Sequence, residues 1–156
     1  MGATANRDAG RLSGIRRRID RLFWLRRENM PADLRGGRLV LSEQDIRTRL
    51  PVPLHGRPDQ VFASAEGLLV VTDTKARLVP RVTWPDVLQL SVYGTILAFT
   101  DDPRAAGMRV AAHGYIRFPT PGGVVWARVP LLRPATVVEL WTDYWLATEA
   151  PSGQAA

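Results

Sequence analysis

The chain has 156 residues, 46% of them hydrophobic, with no cysteine and a formal net charge of +6. That length fits one domain with extensions, and the absence of cysteine excludes disulfides, thiolate metal sites and cysteine nucleophiles. No apolar run approaches the about 18 residues of a membrane span, and no hydrophobic stretch follows the N-terminal charge to make a signal peptide, so a cytoplasmic location is the default expectation.

The charge is unevenly placed. Residues 1–38 hold ten arginines against four acids, whereas the remainder carries eleven of each sign. Residues 1–9 are expected to be disordered. Arg11 to Arg27 reads as an amphipathic helix: Leu12, Ile15, Ile19 and Leu22 recur at spacings of three and four, and Phe23 and Leu25 widen the stripe. Three partners compete for it. It can pack on the core with a solvated basic face. It can bind nucleic-acid phosphates, with Arg16, Arg17 and Arg18 as the candidates. The least favoured partner is an anionic membrane surface, suggested by Phe23 and Trp24 beside arginines.

Met30 to Gly37 reads as a linker, with Pro31 and the Gly36-Gly37 pair. Arg38 to Leu41 is a short apolar strand. Ser42 is placed to cap a short helix over Glu43 to Arg49, ended by Pro51 and Pro53.

Gly56 to Tyr93 carries the chemistry. Gln60 to Ala63 and Leu68 to Val71 flank the turn signal Glu66-Gly67 and read as a buried hairpin. Asp59 then opens the first strand and Asp73 closes the second, so antiparallel pairing brings the two carboxylates together. Lys75, the single lysine among twenty-one basic residues, lies two residues beyond Asp73 and projects to the same face of the strand. Crowded carboxylates repel unless a cation lies between them, and hard oxygen ligands suit Mg²⁺ or Mn²⁺. Such an ion with a lysine beside it fits metal-assisted hydrolysis of a phosphodiester. An isolated Asp-x-Lys is more often a solvated ion pair of small energetic consequence, so the neighbouring residues decide.

Those residues lie on the next helix. Thr83 is its N-cap, Pro85 falls in the first turn, and Asp86 sits at N3 in a variant of the capping box. From Trp84 to about Phe99 the pattern is apolar nearly all round, which implies a buried helix. Gln89 and Tyr93 are its polar exceptions, four apart and on one face. The pair can bond a strand backbone, or it can face the acidic site and touch a nucleic-acid strand. Residues alone leave both readings open.

Gly56-Arg57-Pro58-Asp59, Asp73-Thr74-Lys75 and Gln89-Leu90-Ser91-Val92-Tyr93, in this order and spacing, resemble the RecB-like branch of the PD-(D/E)XK nuclease superfamily, which includes the CRISPR-associated RecB-like exonucleases. The resemblance covers roughly Leu50 to Leu132. It implies that Asp59 and Asp73 are metal ligands, helped by the backbone carbonyl of Thr74. It also implies that Lys75 is catalytic and that Gln89 and Tyr93 support the site or contact DNA. The family usually has a further acid or a histidine upstream; Glu43, Asp45 and His55 are the candidates here, all close to Asp59 in sequence. Some relatives hold an iron–sulfur cluster on cysteines, and a chain without cysteine cannot hold it in that way.

Beyond the helix, Asp101-Asp102-Pro103 begins a loop through Gly107. Met108 to Phe118 and Val124 to Leu132 form a hairpin about the turn Pro119 to Gly123 and should extend the sheet. His113 has no acid or second histidine at ligand spacing and reads as an ordinary sheet residue. Pro134 leads into a last helix, Ala135 to Ala147, whose Val137, Val138, Leu140, Trp141, Tyr144 and Trp145 are expected to pack on the sheet. Its two tryptophans also suit a protein partner or a homodimer. The expected architecture is α/β, a restriction-endonuclease-like core with a mixed central sheet flanked by helices. Residues 1–37 are a basic extension, 38–149 the domain and 150–156 a disordered tail. The expected activity is metal-dependent hydrolysis of DNA, most in keeping with an exonuclease. The alternative is a catalytically inactive nucleic-acid-binding or assembly module on the same fold, against which the intact Asp59, Asp73 and Lys75 argue.

Overall fold

The computed structural model describes residues 28–149. The expected amphipathic helix, with Arg16, Arg17 and Arg18, and the tail at 150–156 lie outside the described residues. The elements are α1 (Ala32–Arg35), β1 (Arg38–Ser42), β2 (Ile46–Thr48), β3 (Leu54–Gly56), β4 (Gln60–Ala63), β5 (Leu69–Thr74), α2 (Trp84–Phe99), β6 (His113–Thr120), β7 (Gly123–Pro130) and α3 (Pro134–Glu149).

Five strands form one mixed sheet in the order β1-β4-β5-β6-β7, and β2 and β3 form a separate hairpin. β1, β4 and β5 are antiparallel neighbours, β5 runs parallel to β6, and β6 turns back into β7. The expected α/β class, a mixed sheet flanked by helices, is what the chain forms. β5 is central and its first five residues are buried, as an apolar run covered on both faces requires. On one face Val61, Leu69, Val71, Ile116, Phe118 and Val129 pack with Leu90, Ile96 and Leu97 of α2 and Val137 of α3. The β2–β3 hairpin adds Ile46 and Leu54 to this layer. On the other face Phe62, Val70 and Tyr115 pack with Met30 and Leu34.

Three expectations are corrected. Of the α3 residues expected to pack on the sheet, Val137 is buried but Leu140, Tyr144 and Trp145 are exposed. Residues 43–49 form no helix: Ser42 ends β1, Glu43 has a left-handed backbone with φ of 48°, and buried Ile46 and Thr48 alternate with exposed Arg47 in β2. A period of two, not of 3.6, governs that segment. Residues 30–37 are more than a linker, because Met30 and Leu34 are buried against the sheet and Ala32–Arg35 make a helical turn. Smaller shifts follow from pairing. Met108 to Ala112 contribute one isolated bridge, Leu69 to Val110, instead of strand, and β6 continues to Thr120 because Pro119 and Thr120 pair with Val124 and Gly123. α2 has exposed ends at Trp84 and Phe99, although its middle is buried. Among the described residues no helix is long and apolar enough to cross a membrane.

Candidate active site

The β4–β5 register places the two aspartates at one end of the hairpin. Gln60 pairs with Thr72, so Asp59 and Asp73 flank the last paired position. Asp59 is fixed by accepting a hydrogen bond on Oδ2 from the Thr74 backbone N–H at 2.7 Å. Asp73 is buried, with only 4% of its surface exposed, and faces α2. Lys75 reaches the same side, its Nζ 2.8 Å from Asp73 Oδ2, as alternation along an extended strand dictates. β6 supports this end from the other side, the Lys75 N–H donating to the Arg117 carbonyl at 2.9 Å.

Gln89 completes the arrangement. Its Oε1 accepts from Lys75 Nζ at 2.8 Å, while its Nε2 donates to the Tyr93 hydroxyl at 2.9 Å and lies 3.5 Å from Asp73 Oδ1. The carboxamide is therefore oriented by its partners and its burial cost is offset. Of the two readings open for Gln89 and Tyr93, the structure has them facing the acidic site. Gly56 explains its own identity here: a Cβ added to it would lie 2.5 Å from Cε1 and 2.9 Å from Cδ1 of the Tyr93 ring. Gly56→Ala should push that ring and, through it, Gln89. A melting-temperature drop equivalent to about 1–3 kcal/mol is expected, together with a fall in any activity that depends on Lys75.

Electrostatically the site is under tension. Burial pushes the Asp73 carboxyl above its ordinary range, the Lys75 ammonium pulls it back, and the charges of Asp59 and Asp86 push it up again. The Lys75 ammonium, 2.8 Å away, is the charge partner of the buried Asp73 Oδ2. A buried oxygen with spare lone pairs, close to a second carboxylate, fits a divalent cation. Among the described residues no group of three or more His, Cys, Asp or Glu side chains gathers at a metal-binding distance. Two carboxylates and a backbone carbonyl suit a small hard ion such as Mg²⁺, which usually retains several waters and takes one or two carboxylates.

A cleft of about 390 Å³ is lined by Glu28, Ser42, Glu43, Asp59, Thr74, Arg117 and Trp126 among others. Asp59 and Thr74 thus belong both to the cleft and to the aspartate site. Of the upstream candidates, Glu43 lines this cleft, and its backbone N–H donates to the Asp59 carbonyl at 2.9 Å. Its exposed side chain lies 3.7 Å from Arg57. Asp45 and His55 instead pair with each other at 3.5 Å on the exposed face of the β2–β3 hairpin.

Sequence reasoning missed Glu28 and Arg117. Arg117 Nε and Nη2 donate to the two oxygens of Glu28 at 2.8 and 2.9 Å, and the Trp126 indole donates to the Glu28 carbonyl at 2.7 Å. An arginine inside an apolar strand signals a carboxylate partner, but nothing local names one 89 positions away. His113, read as an ordinary sheet residue, is held between Asp33 at 2.9 Å and Arg128 at 3.0 Å. Asp86 does more than cap α2. It takes Arg77 in a two-pronged pair at 2.6 and 2.8 Å and accepts from the Thr83 N–H and hydroxyl, each at 2.8 Å. The Arg77 guanidinium holds its carboxyl at about 2.

No family model matches the chain, and no curated protein matches it. A solved structure titled "Crystal structure of SSO0001" is similar at 17% identity and a TM-score of 0.49, over 72% of this chain and 52% of that one. This chain therefore spans about half the length of that protein.

Proposed function

We propose that this chain is a divalent-metal-dependent DNA nuclease of the RecB-like PD-(D/E)XK kind, on a restriction-endonuclease-like core and acting in the cytoplasm. The observation that carries this reading is the pair of contact sets, Asp59–Thr74 and Asp73–Lys75–Gln89–Tyr93, at one end of β5. Its members are the residues of three separate sequence motifs.

Asp59, Asp73 and the Thr74 carbonyl are the groups that would hold Mg²⁺ or Mn²⁺. When bound there, such an ion polarises a phosphoryl oxygen and lowers the pKa of its water. The chain does the rest. Lys75, fixed by Asp73 and Gln89, orients the attacking water and places positive charge where negative charge develops on the phosphate. Gln89 keeps the ammonium in place, and Tyr93 keeps Gln89 in place. The N-terminal arginines, Arg16, Arg17 and Arg18 among them, add phosphate affinity that falls with salt. The exposed Tyr144, Trp145 and Leu146 of α3 are the surface for a protein partner or a second copy.

The second reading, a non-catalytic nucleic-acid-binding or assembly module, is favoured by the short donor set among the described residues, two carboxylates instead of three or more. Thermal unfolding with and without Mn²⁺ separates the two. In the nuclease, Mn²⁺ at about a hundredfold excess over its dissociation constant adds about 2–3 kcal/mol, and the gain disappears in Asp59→Asn. Unfolding of the unaltered protein that ignores Mn²⁺ and Mg²⁺ favours the module.

A further inference from the structure

Between Lys75 and α2 the chain makes a loop, residues 76–83, whose two sides differ in character. On its inner side Arg77 forks onto Asp86, and its Nη1 also donates to the Arg81 carbonyl at 2.8 Å. Both ends of the loop are thereby tied to the first turn of α2. On its outer side Leu78 is fully exposed, Val79 is 70% exposed, and Trp84, at the junction with α2, is 58% exposed. Large apolar side chains exposed this close together in the chain suit a contact surface, and the Arg77 tie holds the loop that carries them. Residues 75–83 contain no acid; of their cations, Lys75 pairs with Asp73 and Arg77 with Asp86, while Arg81 is exposed.

An exposed cation beside exposed apolar and aromatic groups suits an unpaired nucleic-acid strand. Its phosphates take the cations, its bases stack on an indole, and leucine-sized side chains wedge between base steps. We propose that Leu78, Val79 and Trp84 form a platform for unpaired bases, with Arg81 on the adjoining phosphates, which feeds a strand end toward Lys75. The delivery step rests on the nuclease reading; the contact with unpaired bases does not. A basic, apolar loop also suits an anionic lipid surface. The platform's place three residues beyond Lys75, at the foot of the helix that carries Gln89, favours the strand.

The test uses the full chain in EDTA, with anisotropy of a fluorescein-labelled unpaired oligonucleotide and of a blunt duplex, and co-sedimentation with phosphatidylserine vesicles. Trp84→Ala and the double variant Leu78→Ser, Val79→Ser should each weaken unpaired-strand binding about tenfold. They should leave duplex binding within about twofold and the melting temperature unchanged, because these side chains face solvent. Equal unpaired-strand affinity in variants and parent overturns the platform, as does failure of the parent to bind that oligonucleotide. Vesicle binding lost with Leu78 and Val79, while oligonucleotide binding persists, assigns the surface to lipid and also overturns it. Cleavage with Mg²⁺ is scored separately. Platform-dependent binding without any cleavage sinks the nuclease reading alone, whereas cleavage by a chain whose strand binding ignores these residues sinks the platform alone.

Discussion

Asparagine at position 73 is expected to cut phosphodiester cleavage by about a thousandfold or more, because it removes a buried cation ligand and the anchor of Lys75 together. In EDTA the same variant should be as stable as the parent or more so. Burial raises the Asp73 carboxyl above its ordinary value, so its ionised form costs the folded state free energy at neutral pH. The sign is opposite to that of a stabilising ion pair: the cost is present above the folded value and is relieved as pH falls through it. A melting temperature that holds or rises while activity vanishes would mark a group kept for function at the expense of stability. Marked destabilisation of Asp73→Asn in EDTA would instead make Asp73 a structural partner of Lys75.

Asp86→Ala should give the largest loss of stability, about 2–4 kcal/mol, read from denaturant unfolding. It removes a carboxylate that serves Arg77 twice and the Thr83 N–H and hydroxyl once each. It also frees the loop that presents Leu78 and Val79. The Arg77 guanidinium holds the Asp86 carboxyl at about 2, against an ordinary value of 3.8. That stabilisation is complete above the unfolded value and is lost as pH falls through about 2, a contribution of about 2 kcal/mol. The parent should therefore lose stability between pH about 4 and about 2, and Asp86→Ala should lose less over the same window. Identical acid profiles for the two proteins would show that the Arg77–Asp86 pair contributes nothing in solution.

The candidate site could be read in advance because its geometry is local. The β4–β5 hairpin follows from two apolar runs about a turn, its register puts Asp59 and Asp73 together, and Asp73, Lys75, Gln89 and Tyr93 obey periods of two and four. Thr83, Pro85 and Asp86 fixed where α2 starts. What escaped reading depends on distant or unusual contacts. Glu28 and Arg117 meet across 89 positions, and Met30 and Leu34 look like linker residues until the sheet face they cover is known. The three-residue strand β2, following the left-handed Glu43, was disguised as part of a capped helix. Asp86 was legible as part of the helix cap, but its pairing with Arg77, nine residues away, was not, since the loop between them has no period.

The most direct test of the central claim is cleavage of end-labelled single- and double-stranded DNA in Mg²⁺, in Mn²⁺ and in EDTA, with the parent beside Asp73→Asn and Lys75→Ala. A nuclease of this kind cleaves only with the ion and loses cleavage in both variants, with product lengths separating terminal from internal attack. A folded, DNA-binding parent that cleaves nothing under either ion, or cleavage that survives Lys75→Ala undiminished, would contradict it.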